Sequence, residues 1–296
     1  MRVEGINRIC VVGAGTMGSQ IALCGALAGY TVVCSDIDHA ALERARRFTD
    51  TYLSGRVARG KLDDAAAQVA RDNLSFTTDL AEAAAGADLA IEAAPEVLEL
   101  KRTLFRRLDR ICPAHALLVT NSSFIVSSKL AEVTRRPEKV ANMHFFVPPL
   151  AMSPVEVVQG PHTAAQTAAT IAAVCTSMGK TPIMLRKEIH GFLVNRILSV
   201  IQREAQFLHD TGVASFEDID TAVREGLGHK VGPFYQMDLI GLDLVYAIGR
   251  EHFRESGDPS QRPSPAVVER VARNELGRKT GKGFYDYEGM LKERGF

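Results

Sequence analysis

Three glycines in Val11-Val12-Gly13-Ala14-Gly15-Thr16-Met17-Gly18, answered by Asp36, constrain this chain more than any other feature. An apolar run, Ile9–Val12, precedes them, and an apolar helical pattern follows from Met17 through Ile21 to Leu27. A second apolar run, Thr31–Val33, delivers Asp36, 18 positions after Gly18. Strand, glycine turn, helix, strand and acid in that order form the βαβ arrangement that receives a dinucleotide. Gly13 permits the tight turn, Gly15 lets the backbone approach a pyrophosphate, and Gly18 lets the helix pack closely on the strand. The helix start at Thr16 and Met17 offers free N–H groups and a partial positive charge to phosphates. Asp36 can accept hydrogen bonds from both ribose hydroxyls and repels a 2′-phosphate, and Asp38 adds to the repulsion. The pattern therefore favours NAD over NADP.

Up to about residue 185 short apolar runs alternate with helical patterns, which predicts a parallel, doubly wound α/β sheet of the Rossmann type. The predicted strands are 9–12, 31–35, 74–76, 89–93, 117–120, 140–144, 155–158 and 181–184. Amphipathic stretches such as Ala41–Val57 and Leu98–Ile111 lie between them, and Asp63–Ala70 reads as the second helix of an insertion near 41–70. After Lys187 the strand signal stops. Gly191–Leu208 has helical spacing, Ser215-Phe216-Glu217-Asp218 is a capping-box start, and helices are expected over Met237–Ile248 and Pro265–Asn274. The expected organisation is a dinucleotide domain over 1–187 and a smaller, all-helical domain over 188–296.

Composition narrows the classes. The 296 residues are 46% hydrophobic with zero formal net charge, enough for two cores and without the basic footprint of a nucleic-acid binder. The five cysteines are scattered without a CxxC pair and read as buried free thiols of a reducing compartment. The cofactor strand begins almost at the N-terminus, leaving no room for a signal peptide, and no apolar run is long enough to span a membrane. The expectation is a cytoplasmic protein.

Oxidising an alcohol requires a base for the hydroxyl proton, and histidine has the suitable pKa. Of eight histidines, His144 stands at the carboxyl end of a predicted strand, the edge where open α/β sheets bind ligands. Glu156 follows twelve residues later inside the apolar strand Val155-Glu156-Val157-Val158 and needs a partner when buried. The Pro148-Pro149 turn allows the two strands to lie side by side, bringing the carboxylate to the imidazole, although an arginine could serve Glu156 instead. Asn121-Ser122-Ser123 ends another predicted strand; its hydroxyls face the same crevice, cap a helix over Ile125–Val133, or do both. Asn195 is a polar amide on an otherwise apolar helix face.

Together these residues resemble the L-3-hydroxyacyl-CoA dehydrogenase family, which includes bacterial 3-hydroxybutyryl-CoA dehydrogenases. The resemblance runs from Gly13 to Tyr287 through GAGTMG, IEAAPE with Lys101, NSS, MHFF, PVEVV, GFLVNR, GPF and RKTGKGFYDY, in that order. It implies a Rossmann-type domain followed by a helical one, NAD as cofactor, an acyl-CoA substrate and a homodimer formed through the helical domain. It implies His144 as general base and Glu156 as its orienting acid. Ser122 and Asn195 then hold the substrate's 3-oxygen and acyl carbonyl near the nicotinamide. Asp36 binds the adenine ribose, Glu96, Lys101 and Ser122 border the cofactor pocket, and Lys279 reaches towards NAD. Arg59 and Lys61 are placed to meet the phosphates of coenzyme A. One position departs: the family pattern continues His-Phe-Phe-Asn, and this chain has Val147 there. Alternatives are the same chemistry on a free hydroxy acid or on a carrier-bound acyl group, and a non-catalytic NAD-binding relative. A hinge is expected at Arg186-Lys187-Glu188.

Overall fold

The computed structural model describes residues 2–287. The chain forms two compact units, Met1–Leu193 and Val194–Phe296. The first carries β1 (Arg8–Val12), β2 (Thr31–Ser35), β3 (Leu74–Thr77), β4 (Leu89–Glu92), β5 (Leu117–Thr120), β6 (Val140–Phe145), β7 (Pro154–Val158) and β8 (Thr181–Leu185). They make one sheet in the order β3-β2-β1-β4-β5-β6-β7-β8. The order reverses between β1 and β4, the switch point at which such sheets open a ligand crevice.

Successive residues of β1 serve opposite faces, as the period of a strand requires. Ile9 and Val11 enter one apolar core, Cys10 and Val12 the other. The first core holds α1 (Thr16–Leu27), α2 (His39–Ala58), α3 (Asp64–Asp72) and α7 (Ala165–Ser177); the second holds α4 (Leu80–Ala84), α5 (Leu98–Ile111) and α6 (Ser128–Ala131). α5 shows why the pattern was legible: Lys101, Phe105 and Leu108 recur at helical spacing and are its buried stripe. Truncating fully buried Phe105 to alanine costs roughly 3–5 kcal/mol.

The sheet departs from the all-parallel expectation at one place. β7 runs antiparallel to β6, while β8 returns parallel to β7. Only residues 146–153 join β6 to β7, and a parallel crossover needs a dozen or more.

The second unit is helical: α8 (Val194–Asp210), α9 (Phe216–Leu227), α10 (Pro233–Ile240), α11 (Leu242–Ser256) and α12 (Pro265–Ala272). Ser215 caps α9 by accepting from Asp218 N at 3.1 Å. The helix expected over 237–248 is two helices, broken at Gly241, whose φ of +104° no helix accommodates. Likewise the helix expected over 125–133 shrinks to α6, because the Asn-Ser-Ser cluster makes a loop of its own. Among the described residues no helix is long and apolar enough to cross a membrane. All five cysteines are free and buried, and burial pushes the Cys24 thiol up to about 11 and the Cys34 thiol up to about 12.

Candidate active site

The turn after β1 is built by close contact. Gly13 has φ +108°, and a Cβ on it would lie 2.6 Å from the Ala93 carbonyl oxygen; a Cβ on Gly18 would collide with the Gly13 carbonyl. Gly15, by contrast, faces open space. It is also the N-cap of α1, which has neither a capping side chain nor an acid in its first turn. The helix start at Thr16 and Met17 is thus left to an anion rather than to the protein's own carboxylates. Asp36 is fixed beside this turn: Oδ2 accepts from Ala14 N at 2.7 Å and Oδ1 from Asp38 N at 3.0 Å. The next residue, Ile37, is 92% exposed. An open glycine, an uncapped helix start and an anchored carboxylate fit a dinucleotide.

β4 lies between β1 and β5, with Val12 opposite Glu92 and Glu92 opposite Thr120. Glu92 is fully buried; its Oε1 accepts from Lys101 Nζ at 2.7 Å and its Oε2 from Thr120 Oγ1 at 2.6 Å. Lys101 is itself 1% exposed, and its ammonium also donates to the Ala94 carbonyl and reaches Glu96 Oε2 at 3.4 Å. Lys101 therefore borders the crevice through Glu96, the exposed end of this group. Glu96 Oε1 accepts from the Ser122 hydroxyl and from Phe124 N.

The adjacent serines face different partners. Ser122 Oγ accepts from Ile125 N at 2.7 Å while donating to Glu96, so it builds the loop. Ser123 Oγ lies 2.9 Å from Nε2 of His144. The family resemblance implied Ser122; the side chain placed on the imidazole is the next one along.

Across the antiparallel pair His144 is directly opposite Glu156. Nδ1 is 2.8 Å from Glu156 Oε2, with the histidine 3% and the glutamate 0% exposed. Glu156 Oε1 accepts from Leu193 N at 3.0 Å. Phe146 meets the imidazole edge-on at 4.8 Å between centroids, and buried Phe192 lies at 5.4 Å. A carboxylate on Nδ1 fixes the tautomer and leaves Nε2 to exchange a proton. Asn121 Oδ1 accepts from Phe145 N, tying the serine loop to the strand that carries His144.

Comparison with known proteins places this arrangement. Residues 8–189 match the 3-hydroxyacyl-CoA dehydrogenase NAD binding domain, and residues 191–287 match the C-terminal domain of the same enzymes. The chain belongs to the 3-hydroxyacyl-CoA dehydrogenase family. It is 38% identical to the 3-hydroxybutyryl-CoA dehydrogenase of Clostridioides difficile, over 95% of this chain and 99% of that one. The solved (S)-3-hydroxybutyryl-CoA dehydrogenase of Ralstonia eutropha superposes with a TM-score of 0.88 at 37% identity, covering 95% and 99% of the two chains. A diketoreductase, described as acting on dicarbonyl compounds, superposes with 0.86 at 33% identity, covering 96% of this chain and all of its own.

The remaining residues expected from the family resemblance are divided between the two units. Arg59 caps the C-terminus of α2 and Lys61 follows in the turn, both exposed. Asn195 lies in the first turn of α8, in the second unit. Lys279 is in the same unit, paired with Asp243. Val147, the departure from the family pattern, directly follows Phe146 and is 66% exposed. The expected hinge at 186–188 is anchored at Glu188, whose Oε1 accepts from Ser127 Oγ and Ser128 N at 2.8 Å each. Sequence reasoning passed over Glu92, whose signal was an acid inside an apolar strand; it noted the hydroxyls of both serines and gave the substrate role to Ser122.

Proposed function

We propose that this protein is an NAD-dependent dehydrogenase acting at C3 of an L-3-hydroxyacyl-CoA such as 3-hydroxybutyryl-CoA, and the reductase of the corresponding 3-ketoacyl-CoA in reverse. The observation that carries this reading is His144, held on Nδ1 by buried Glu156 and on Nε2 by Ser123, at the sheet edge that also bears the glycine turn. Bound NAD supplies the hydride acceptor. His144 takes the 3-hydroxyl proton on Nε2, and Glu156 stabilises the imidazolium that forms. Ser123 shares the 3-oxygen with His144, while Ser122 and Glu96 hold the loop that presents it. Gly15 and the α1 start receive the pyrophosphate in the turn that Gly13 and Gly18 make possible, and Asp36 the adenine ribose. Lys101 supports this pocket through Glu96. By the family resemblance Asn195 serves the acyl carbonyl, Lys279 the cofactor, and Arg59 and Lys61 the phosphates of coenzyme A.

Exposed Ile197, Val200 and Phe207 on α8 support a homodimer formed through the helical unit. Five unpaired thiols support a reducing, cytoplasmic setting.

The test is NADH oxidation at 340 nm with acetoacetyl-CoA, beside free acetoacetate, a carrier-bound 3-ketoacyl group and the His144→Ala variant. Rapid turnover of the thioester, lost in the variant, supports the reading. A second reading, a free hydroxy or dicarbonyl compound as substrate, draws on Val147 in place of asparagine and on the likeness to the diketoreductase. Turnover of free acetoacetate with silence towards the thioester selects it.

A further inference from the structure

Glu92 has no part in the proton or hydride transfer, yet it is enclosed as completely as Glu156. It sits in register between Val12, the residue before the glycine turn, and Thr120, the residue before the Asn-Ser-Ser loop. Its backbone carbonyl accepts from Asn121 N at 2.8 Å, and Ala93 N donates to the Val12 carbonyl at 2.8 Å. Its side chain repeats those links. Oε1 holds Ala94 N at 2.7 Å, next to the Ala93 carbonyl against which Gly13 packs.

Two paths then run from Glu92 to one residue. Oε2 accepts from Thr120 Oγ1, which in turn accepts from Ser122 N at 3.1 Å. Oε1 holds Lys101, which reaches Glu96, which accepts the Ser122 hydroxyl. Ser122 is thus gripped at its amide and at its hydroxyl, and Ser123, next in the chain, lies on Nε2 of His144. A buried ion pair is a poor device for stability, since apolar residues of equal volume often serve as well or better. It is a good device for geometry, because both partners must find all their hydrogen bonds at once.

We infer that Glu92 is a positioning residue for the reaction: with Lys101 and Thr120 it fixes the serine loop, and through it Ser123, relative to the dinucleotide turn. This rests on the dehydrogenase reading above. The experiment is a double-mutant cycle. Glu92→Gln/Lys101→Met removes both charges at similar volume, and Thr120→Val removes only the hydroxyl bridge. Each is made alone and with Ser123→Ala, and turnover is counted per NADH site by fluorescence titration. Each variant is expected to lower kcat at least tenfold in the presence of Ser123 and less than threefold in its absence, with the substrate KM within threefold throughout.

A support that is only structural lowers the melting temperature or the number of NADH sites and leaves kcat per site unchanged; that result overturns the proposal. Effects that simply add to those of Ser123→Ala overturn it as well. If the charge pair cannot be removed without loss of fold, Thr120→Val decides alone. A wild type that reduces free acetoacetate and not the thioester sinks the acyl-CoA reading but leaves the cycle to be run on that substrate. A wild type that reduces neither overturns both.

Discussion

His144 and Glu156 face each other across two strands that run in opposite directions, twelve residues apart in sequence and 2.8 Å apart at Nδ1 and Oε2. The sheet delivers this pair without help from a loop, so both side chains inherit the rigidity of a fully buried ladder.

Removing either partner should therefore strike turnover rather than cofactor binding. His144→Ala is expected to lower kcat by about 10²–10⁴-fold, the usual worth of a positioned acid–base group, with the NADH dissociation constant within threefold of wild type. Glu156→Gln should lower kcat as well while keeping the strand pairing. Stopped-flow turnover beside NADH fluorescence titration checks both, and a Glu156→Gln protein with wild-type kcat would show that the carboxylate is not needed.

The two serines should behave unlike each other. Ser123→Ala removes a hydroxyl from Nε2 and should lower kcat about tenfold or more. Ser122→Ala releases Ile125 N and Glu96, so besides loosening Ser123 and lowering kcat it should lower the melting temperature and weaken NADH binding. Losing one such bond costs about 0.5–1.5 kcal/mol. Equal effects of the two substitutions on melting temperature and NADH affinity would contradict the different placement of the hydroxyls.

Asp36→Ser should relax cofactor choice. The carboxylate is held beside the turn by Ala14 N, where it meets a 2′-phosphate with like charge. Since about 1.4 kcal/mol is a factor of ten, loss of the repulsion should improve kcat/KM for NADPH relative to NADH by at least tenfold. Unchanged preference across both cofactors would place the discrimination elsewhere.

Val147→Asn restores a polar side chain at an exposed position next to Phe146. One added hydrogen bond, about 0.5–1.5 kcal/mol, should lower the KM for NAD two- to tenfold or shift the preference among 3-ketoacyl substrates. If neither moves, Val147 is ordinary surface.

Much of the fold was legible because alternating strands and helices in a buried parallel sheet leave continuous apolar runs, and 31–35 and 117–120 are strands as expected. The pairing of His144 with Glu156 was also legible, since an acid in an apolar strand must find a partner and a short Pro-Pro connection offers one. What escaped depended on the path of the backbone. Ser122 and Ser123 carry identical chemistry, and only the turn closed by Ile125 N decides which hydroxyl points to the imidazole. Gly241 interrupts an apolar helical run with a positive φ that a hydropathy pattern does not register. Glu92 finds its cation nine residues away on α5, where helical phase rather than nearness brings Lys101 under the strand.

The reversal of β7 sets a limit on how this enzyme can diverge. Side chains alternate between faces along a strand, so sliding β7 by one residue would turn Glu156 to the far side of the sheet and present a valine to His144. The segment 146–153, which carries Val147, is thus open to exchange of side chains but closed to changes in length that shift the pairing. Side chains can drift there by substitution, whereas a single-residue insertion that slips the ladder would leave an intact dinucleotide fold with His144 and Glu156 parted.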